Sequence, residues 1–178
     1  MATTTSQMTV EQFRALPEDS GPFYHELRNG EIIAVTRPKF EHSLIQRRLR
    51  RLLEEIAPAD SLVDTELAFR ALPEYELRVA DVAYLSAERF GQTNPKDNIR
   101  GAPDIVIEVL SPSNTVAEMH DKERLCLEHG AMQFWIVDPD LRLVKVSTPD
   151  GHAVTYQIGQ QIPLDLFGAR LAVDAIFA

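Results

Sequence analysis

The stretch GAPDIVIEVLSPSNTVAEMHDKERL, residues 101–125, places two carboxylates, Asp104 and Glu108, in a run of isoleucines and valines and follows them with Lys122 on a helical pattern. In a strand, residues four apart point the same way, so Asp104 and Glu108 share one face while Ile105, Ile107 and Val109 take the other. Ionised carboxylates are costly in apolar surroundings unless hydrogen-bonded, paired with cations or bound to metal. Two of them on one strand demand partners.

Reading outward, the segment SPSN leads into a helix over 115–129, closed by Gly130, with Leu125 and either Val116 or Met119 among its apolar contacts. The strands QFWIVD and RLVKVST follow, joined at Pro139-Asp140, and so short a link requires antiparallel pairing. Upstream, SLVDTELAFR and YELRVADVAYLS read as two more strands, and the polar ERFGQTNPKDNIRG, 88–101, as a surface loop. FYHELRNGEIIAV alternates about an Asn29-Gly30 turn and is a hairpin. Residues 41–56 carry an apolar helical stripe of Leu44, Ile45, Leu49, Leu52, Leu53 and Ile56. Thr9 with Gln12 marks a short N-terminal helix before the loop PEDSG, and strands over 153–158 and 171–176 complete the pattern. The expected fold class is α/β: a mixed sheet with helices packed on it.

At 178 residues with 44% hydrophobic composition, the chain suffices for one domain over 1–178. Eighteen Lys and Arg against 27 Asp and Glu give a net charge of -9, which argues against a broad nucleic-acid-coating surface but allows a small basic cleft. A single cysteine, Cys126, excludes an intrachain disulfide framework, and the opening MATTTSQ lacks signal-peptide character. A cytoplasmic location without membrane contact is the expectation.

Asp81 interrupts the apolar run of its own strand, with Val79 and Ala83 on its side. Neighbouring strands bearing Asp81 and Glu108 could bring both to one divalent cation, and oxygen ligands from carboxylates, a carbonyl and water suit magnesium or manganese. The competing reading makes these acids strand ends and turn caps. A helix folding back after SPSN could aim Lys122 at the carboxylates, or pair it with Glu118 four residues earlier. His42 reads as a hydrogen-bonded boundary histidine or as the edge of an active cleft. Arg47, Arg48, Arg50 and Arg51 read as a mixed solvated face with Glu54 and Glu55, with a nucleic-acid patch as the alternative.

YHELRNGEII, the histidine at 42, VADVAYL, APDIVIEVLSPSN, DKERLCLEHGAMQFWIVDP and the next strand together resemble the PD-(D/E)XK nuclease superfamily, in its Uma-type branch of restriction-endonuclease-like proteins. The resemblance implies a restriction-endonuclease-like core over about 23–147, with a central mixed sheet flanked by helices. It makes Asp81 the first catalytic carboxylate and metal ligand, Glu108 the second, and Glu26 a helper acid near the same cation. The Val109 carbonyl completes the set around magnesium, with manganese as substitute, and His42 and Asp104 are supporting residues. The plain motif has its lysine two residues after the second acid, where this sequence has Leu110; Lys122 in HDKERL is the matching candidate. Cys126 stands where the branch commonly carries tyrosine and reads as helix packing, and Trp135 as core material.

The leading expectation is metal-dependent hydrolysis of DNA phosphodiester bonds, with no organic cofactor. A catalytically weak or inactive domain binding nucleic acid or protein is the alternative, and a structural dimer with a vestigial acidic cluster is the third. Two strands of DNA would favour a homodimer, one copy for each.

Overall fold

The structure is a computed structural model that describes residues 7–17, 21 and 23–178. The polar opening and most of the PEDSG loop lie outside the described residues. Helix α1, Val10–Arg14, starts at Thr9 through a capping box with Gln12. Strands β1, Phe23–Arg28, and β2, Glu31–Thr36, form the hairpin. Its turn places Asn29 and Gly30 at φ of 47° and 78°, the positive values a tight hairpin needs. Helix α2 is Phe40–Ile56, and β3, Leu62–Arg70, and β4, Arg78–Leu85, follow. Residues 88–101, expected to be loop, contribute most of a short helix α3, Ala87–Gly91, and a two-residue strand β5, Ile99–Arg100.

Strand β6, Ile105–Val109, passes through helix α4, Val116–Glu128, to the parallel strand β7, Gln133–Asp138. The antiparallel β8, Leu143–Ser147, and β9, Ala153–Gln157, extend the sheet. The sheet order is β5-β3-β4-β6-β7-β8-β9, with β5/β3 and β6/β7 parallel and the other neighbours antiparallel. A separate pair, β10, Gln161–Leu164, and β11, Ala169–Ala172, leads into helix α5, Val173–Phe177. The strand expected over 171–176 is therefore half strand and half helix. Its buried residues fall at 171, 173 and 176, a spacing that shifts from two to three as the chain turns.

The result is the α/β architecture of a restriction-endonuclease-like core, a mixed sheet with helices on both faces. On one face, Ile45, Leu49 and Leu53 of α2 pack against Ile105, Ile107 and Val109; on the other, Leu125 and Cys126 of α4 pack against Val106 and Phe134. Alternation along β6 thus turns Glu108 toward α4. Trp135 and Cys126 are fully buried, and burial pushes the Cys126 thiol up to about 12, which makes it packing rather than a nucleophile. In α4, Met119 is the buried contact and Val116 is exposed. Among the described residues, no helix is long and apolar enough to cross a membrane.

Candidate active site

Two irregularities in the sheet build the site. Pairing of β4 with β6 ends at Val82 opposite Ile107, and beyond that rung side chains replace the missing neighbour. The Val79 N–H donates to Glu26 Oε1 at 2.9 Å, and the Val79 carbonyl accepts from Lys122 Nζ at 2.7 Å. Across the opening, the Val109 N–H donates to Asp81 Oδ2 at 2.7 Å. The second irregularity lies between β3 and β4, where Thr65 pairs with Val82 and Leu67 with Ala80 but the rung between them is absent. There Glu66 takes a φ of 53°, a left-handed conformation uncommon outside glycine, and its carboxylate meets Asp81 through Gln46.

Asp81 of β4, Glu108 of β6 and Glu66 of β3 are joined by side chains from three further elements. From β1 come Tyr24, Glu26 and Arg28, two residues apart and so on one face. Arg28 bonds Glu26 Oε2 at 3.0 Å and Glu118 Oε1 at 3.0 Å, tying the hairpin to the first turn of α4. That turn is fixed by a capping box between Thr115 and Glu118. From α2, Gln46 donates to Asp81 Oδ1 at 3.0 Å and to Glu66, and His42, one turn earlier, brings Nε2 to 3.2 Å from Asp81 Oδ2. From α4, the buried Lys122 reaches Glu108 Oε2 at 2.7 Å. Glu108 Oε1 is buried and has no hydrogen-bond partner.

The electrostatics follow from burial of like charges. Burial pushes the Glu108 carboxyl up to about 8; Lys122 opposes this, while Asp81 and Glu26 add to it. Burial would strip Lys122 of its proton, but Glu108, Glu26 and Asp81 override it and raise the ammonium above its ordinary value. Burial also depresses His42, yet the bond and charge of Asp81, with Glu66 and Glu108, bring it above the usual histidine value. Glu66 is raised by burial and by Asp81, against Gln46, His42 and Lys122.

These groups surround a cleft of about 880 Å³, whose lining includes Tyr24, Glu26, His42, Asp81, Glu108 and Lys122. The family described as "Uma2: Putative restriction endonuclease" matches residues 10–174. The chain belongs to the Uma2 family. A crystal structure from Anabaena variabilis, titled as a putative nuclease belonging to DUF820, is similar to this Uma2 chain with a TM-score of 0.80 at 25% identity, over 96% of this chain and 97% of that one. No curated protein matches the chain. The Uma2 family is part of the PD-(D/E)XK nuclease superfamily, so family and fold together point to a nuclease.

Within the Uma2 fold, Glu26, His42, Asp81, Glu108, Val109 and Lys122 meet at the cleft, as read from the sequence. Asp104 does not. It sits one residue before β6, at the other end of the strand, accepting from the Ser86 N–H at 2.7 Å and from Arg89 at 3.1 Å. Four residues at about 3.3 Å each separate it from Glu108 by roughly 13 Å. Gln46 and Glu66 were missed: Gln46 sits on a helix read for its apolar stripe, and Glu66 in a strand read as regular.

Among the described residues, no three His, Cys, Asp or Glu side chains stand in a geometry that could hold a metal ion. Two carboxylates with room for water and substrate oxygens are a donor set that suits magnesium. Glu108 Oε1 is an oxygen donor without a partner, next to Asp81, and fits such an ion. Asp81 and Glu26 each already accept hydrogen bonds at both oxygens, Asp81 from Gln46 and the Val109 N–H and Glu26 from Val79 and Arg28, so an ion would use their second lone pairs, and Glu108 Oε1 is the open oxygen of the three.

Proposed function

We propose that the protein is a divalent-metal-dependent endonuclease that hydrolyses DNA phosphodiester bonds in this cleft. Asp81 and Glu108 are its metal-holding carboxylates, with the Val109 carbonyl and Glu26 beside them. The observation that carries the reading is the unpartnered Oε1 of Glu108, buried in a cleft that also receives Asp81 and Lys122. An orphaned buried acceptor costs about 1–3 kcal/mol, which a bound cation would offset.

When bound, magnesium or manganese would polarise a phosphoryl oxygen and lower the pKa of a water. The chain's own residues do the rest. Gln46 and the Val109 N–H fix the plane of the Asp81 carboxylate. Lys122, protonated at any working pH, supplies a positive charge at a place where the phosphate gains negative charge. Glu26 positions Val79 and Arg28 and adds negative charge to the site. His42 holds a proton next to Asp81 more tightly than a free histidine would. Arg37 and Lys39 line the same cleft and give the DNA backbone local cations within an acidic protein.

The test combines calorimetry with single-turnover cleavage of duplex and single-stranded DNA. Asp81→Asn and Glu108→Gln should lose metal binding and turnover together. Lys122→Ala should lose about 10²-fold in rate even at saturating metal, because its ammonium is not a ligand. Leu110, at the place of the motif lysine, favours a second reading, a binding module without turnover. Wild type that binds metal and DNA but cleaves neither form would establish that second reading instead.

A further inference from the structure

The three cleft-facing residues of β1 are used differently. Glu26 and Arg28 are engaged by protein groups, Glu26 by Val79 and Arg28, and Arg28 also by Glu118. Tyr24 is not: among the described residues its hydroxyl makes no hydrogen bond, although the side chain is half-buried and lines the cleft. The neighbouring cations at the cleft floor are also committed. Lys122 bonds Glu108 and Val79, and Arg78 bonds Glu76 and Asp121.

A phosphodiester gains negative charge in the transition state, so an additional donor aimed at a non-bridging oxygen speeds its cleavage. Lys122 already gives these acids one ammonium, and a further donor at this position adds to the site when it is neutral. An ammonium or guanidinium among Glu26, Asp81 and Glu108 would pair with the acids and compete with a metal ion for their oxygens; another carboxylate would repel the phosphate. A phenol does neither. Burial, reinforced by Glu26, Glu108, Asp81 and Glu66, raises Tyr24 above the ordinary phenol range, so it stays a donor.

We infer that Tyr24 is a further catalytic residue, whose hydroxyl donates a hydrogen bond to a non-bridging oxygen of the phosphate being cleaved. The role builds on the nuclease reading above and assigns one more contact to the same site. No proton is transferred: the phenol keeps its hydrogen throughout, and its contribution is the difference in hydrogen-bond strength between the phosphate and the transition state.

Tyr24→Phe keeps the ring and removes only the hydroxyl. Wild type and variant are compared in single-turnover DNA cleavage with magnesium, manganese binding by calorimetry, thermal midpoint, and DNA binding by fluorescence anisotropy with calcium replacing magnesium. Tyr24→Phe should cleave roughly 10- to 100-fold more slowly, with manganese affinity and thermal midpoint unchanged. Cleavage at the wild-type rate would overturn the assignment, as would a fall in manganese affinity or midpoint that accompanies the lost rate. If wild type cleaves no DNA, the nuclease reading fails on its own, and the phosphate contact is judged by calcium-dependent binding. There, about tenfold weaker binding by Tyr24→Phe supports the contact, and equal affinity or no wild-type binding overturns it.

Discussion

Replacing Lys122 with methionine separates the lysine's structural part from any catalytic one. The ammonium donates to the Val79 carbonyl and to Glu108, both at 2.7 Å, and both partners are shielded from water. An orphaned carbonyl costs about 1–3 kcal/mol and a lost bond to a charged group about 1.5–3, so Lys122→Met should destabilise by about 2.5–6 kcal/mol at pH 7. At about 2–4 °C per kcal/mol for a chain of this size, the midpoint falls by roughly 5–24 °C. The pH dependence is the sharper test. In wild type Glu108 ionises near pH 8 with Lys122 beside it; without the ammonium its carboxyl stays protonated to higher pH. Above about pH 8 the folded variant therefore holds a proton that its unfolded chain has released, and its stability falls as pH rises. The penalty should be flat below that point and grow by about 1.4 kcal/mol per pH unit above it. Urea melts at pH 7 and pH 9, followed through the single, fully buried Trp135, measure it directly. In Glu108→Gln/Lys122→Met the carboxyl that titrates is gone, so the extra loss at pH 9 should vanish. A penalty equal at both pH values, or a double variant as pH-sensitive as Lys122→Met, would refute the reasoning.

Because Glu108 carries a proton below about pH 8, a metal ion must displace it; manganese affinity should rise about tenfold per pH unit below that point and level off above it. Calorimetry at pH 7 in two buffers of different ionisation heat should report close to one proton released per ion. Gln46→Leu leaves Glu66 and Asp81 facing each other without their shared donor and should cost about 1–3 kcal/mol in urea unfolding, part of which Glu66→Gln recovers. Thr115→Ala removes the cap that sets the first turn of α4 and should lower stability by about 1 kcal/mol, read as a midpoint drop of roughly 2–4 °C.

What could be read from the sequence was whatever obeys a regular period. The Asn29-Gly30 turn, the apolar stripe of α2, and the β6-α4-β7 crossover with Lys122 on its helix all follow from spacing and turn chemistry. The same assumption of regularity explains the misses. Asp104 and Glu108 share a parity, but parity says nothing about position along the strand, and the strand begins after Asp104. Glu66 falls opposite Asp81 in the β3/β4 register, but neither strand read by itself says which of its residues faces which on the other. The terminal segment misled because its burial spacing changes where β11 becomes α5. Nor can a pattern of side chains reveal that the β4/β6 ladder stops short, since which rungs form depends on the acids and the lysine that take their place.

That substitution of side chains for ladder rungs bears on how the family can age. Glu26 and Lys122 close the hydrogen bonds of Val79, so selection for a stable sheet acts on them whether or not any phosphate is ever cut. A descendant that abandoned catalysis would still be held to both residues by its fold. The second oxygen of Glu108 and the hydroxyl of Tyr24 have no such tenure. Drift at those two positions, with Glu26 and Lys122 intact, would be the mark of a retired enzyme kept as a scaffold.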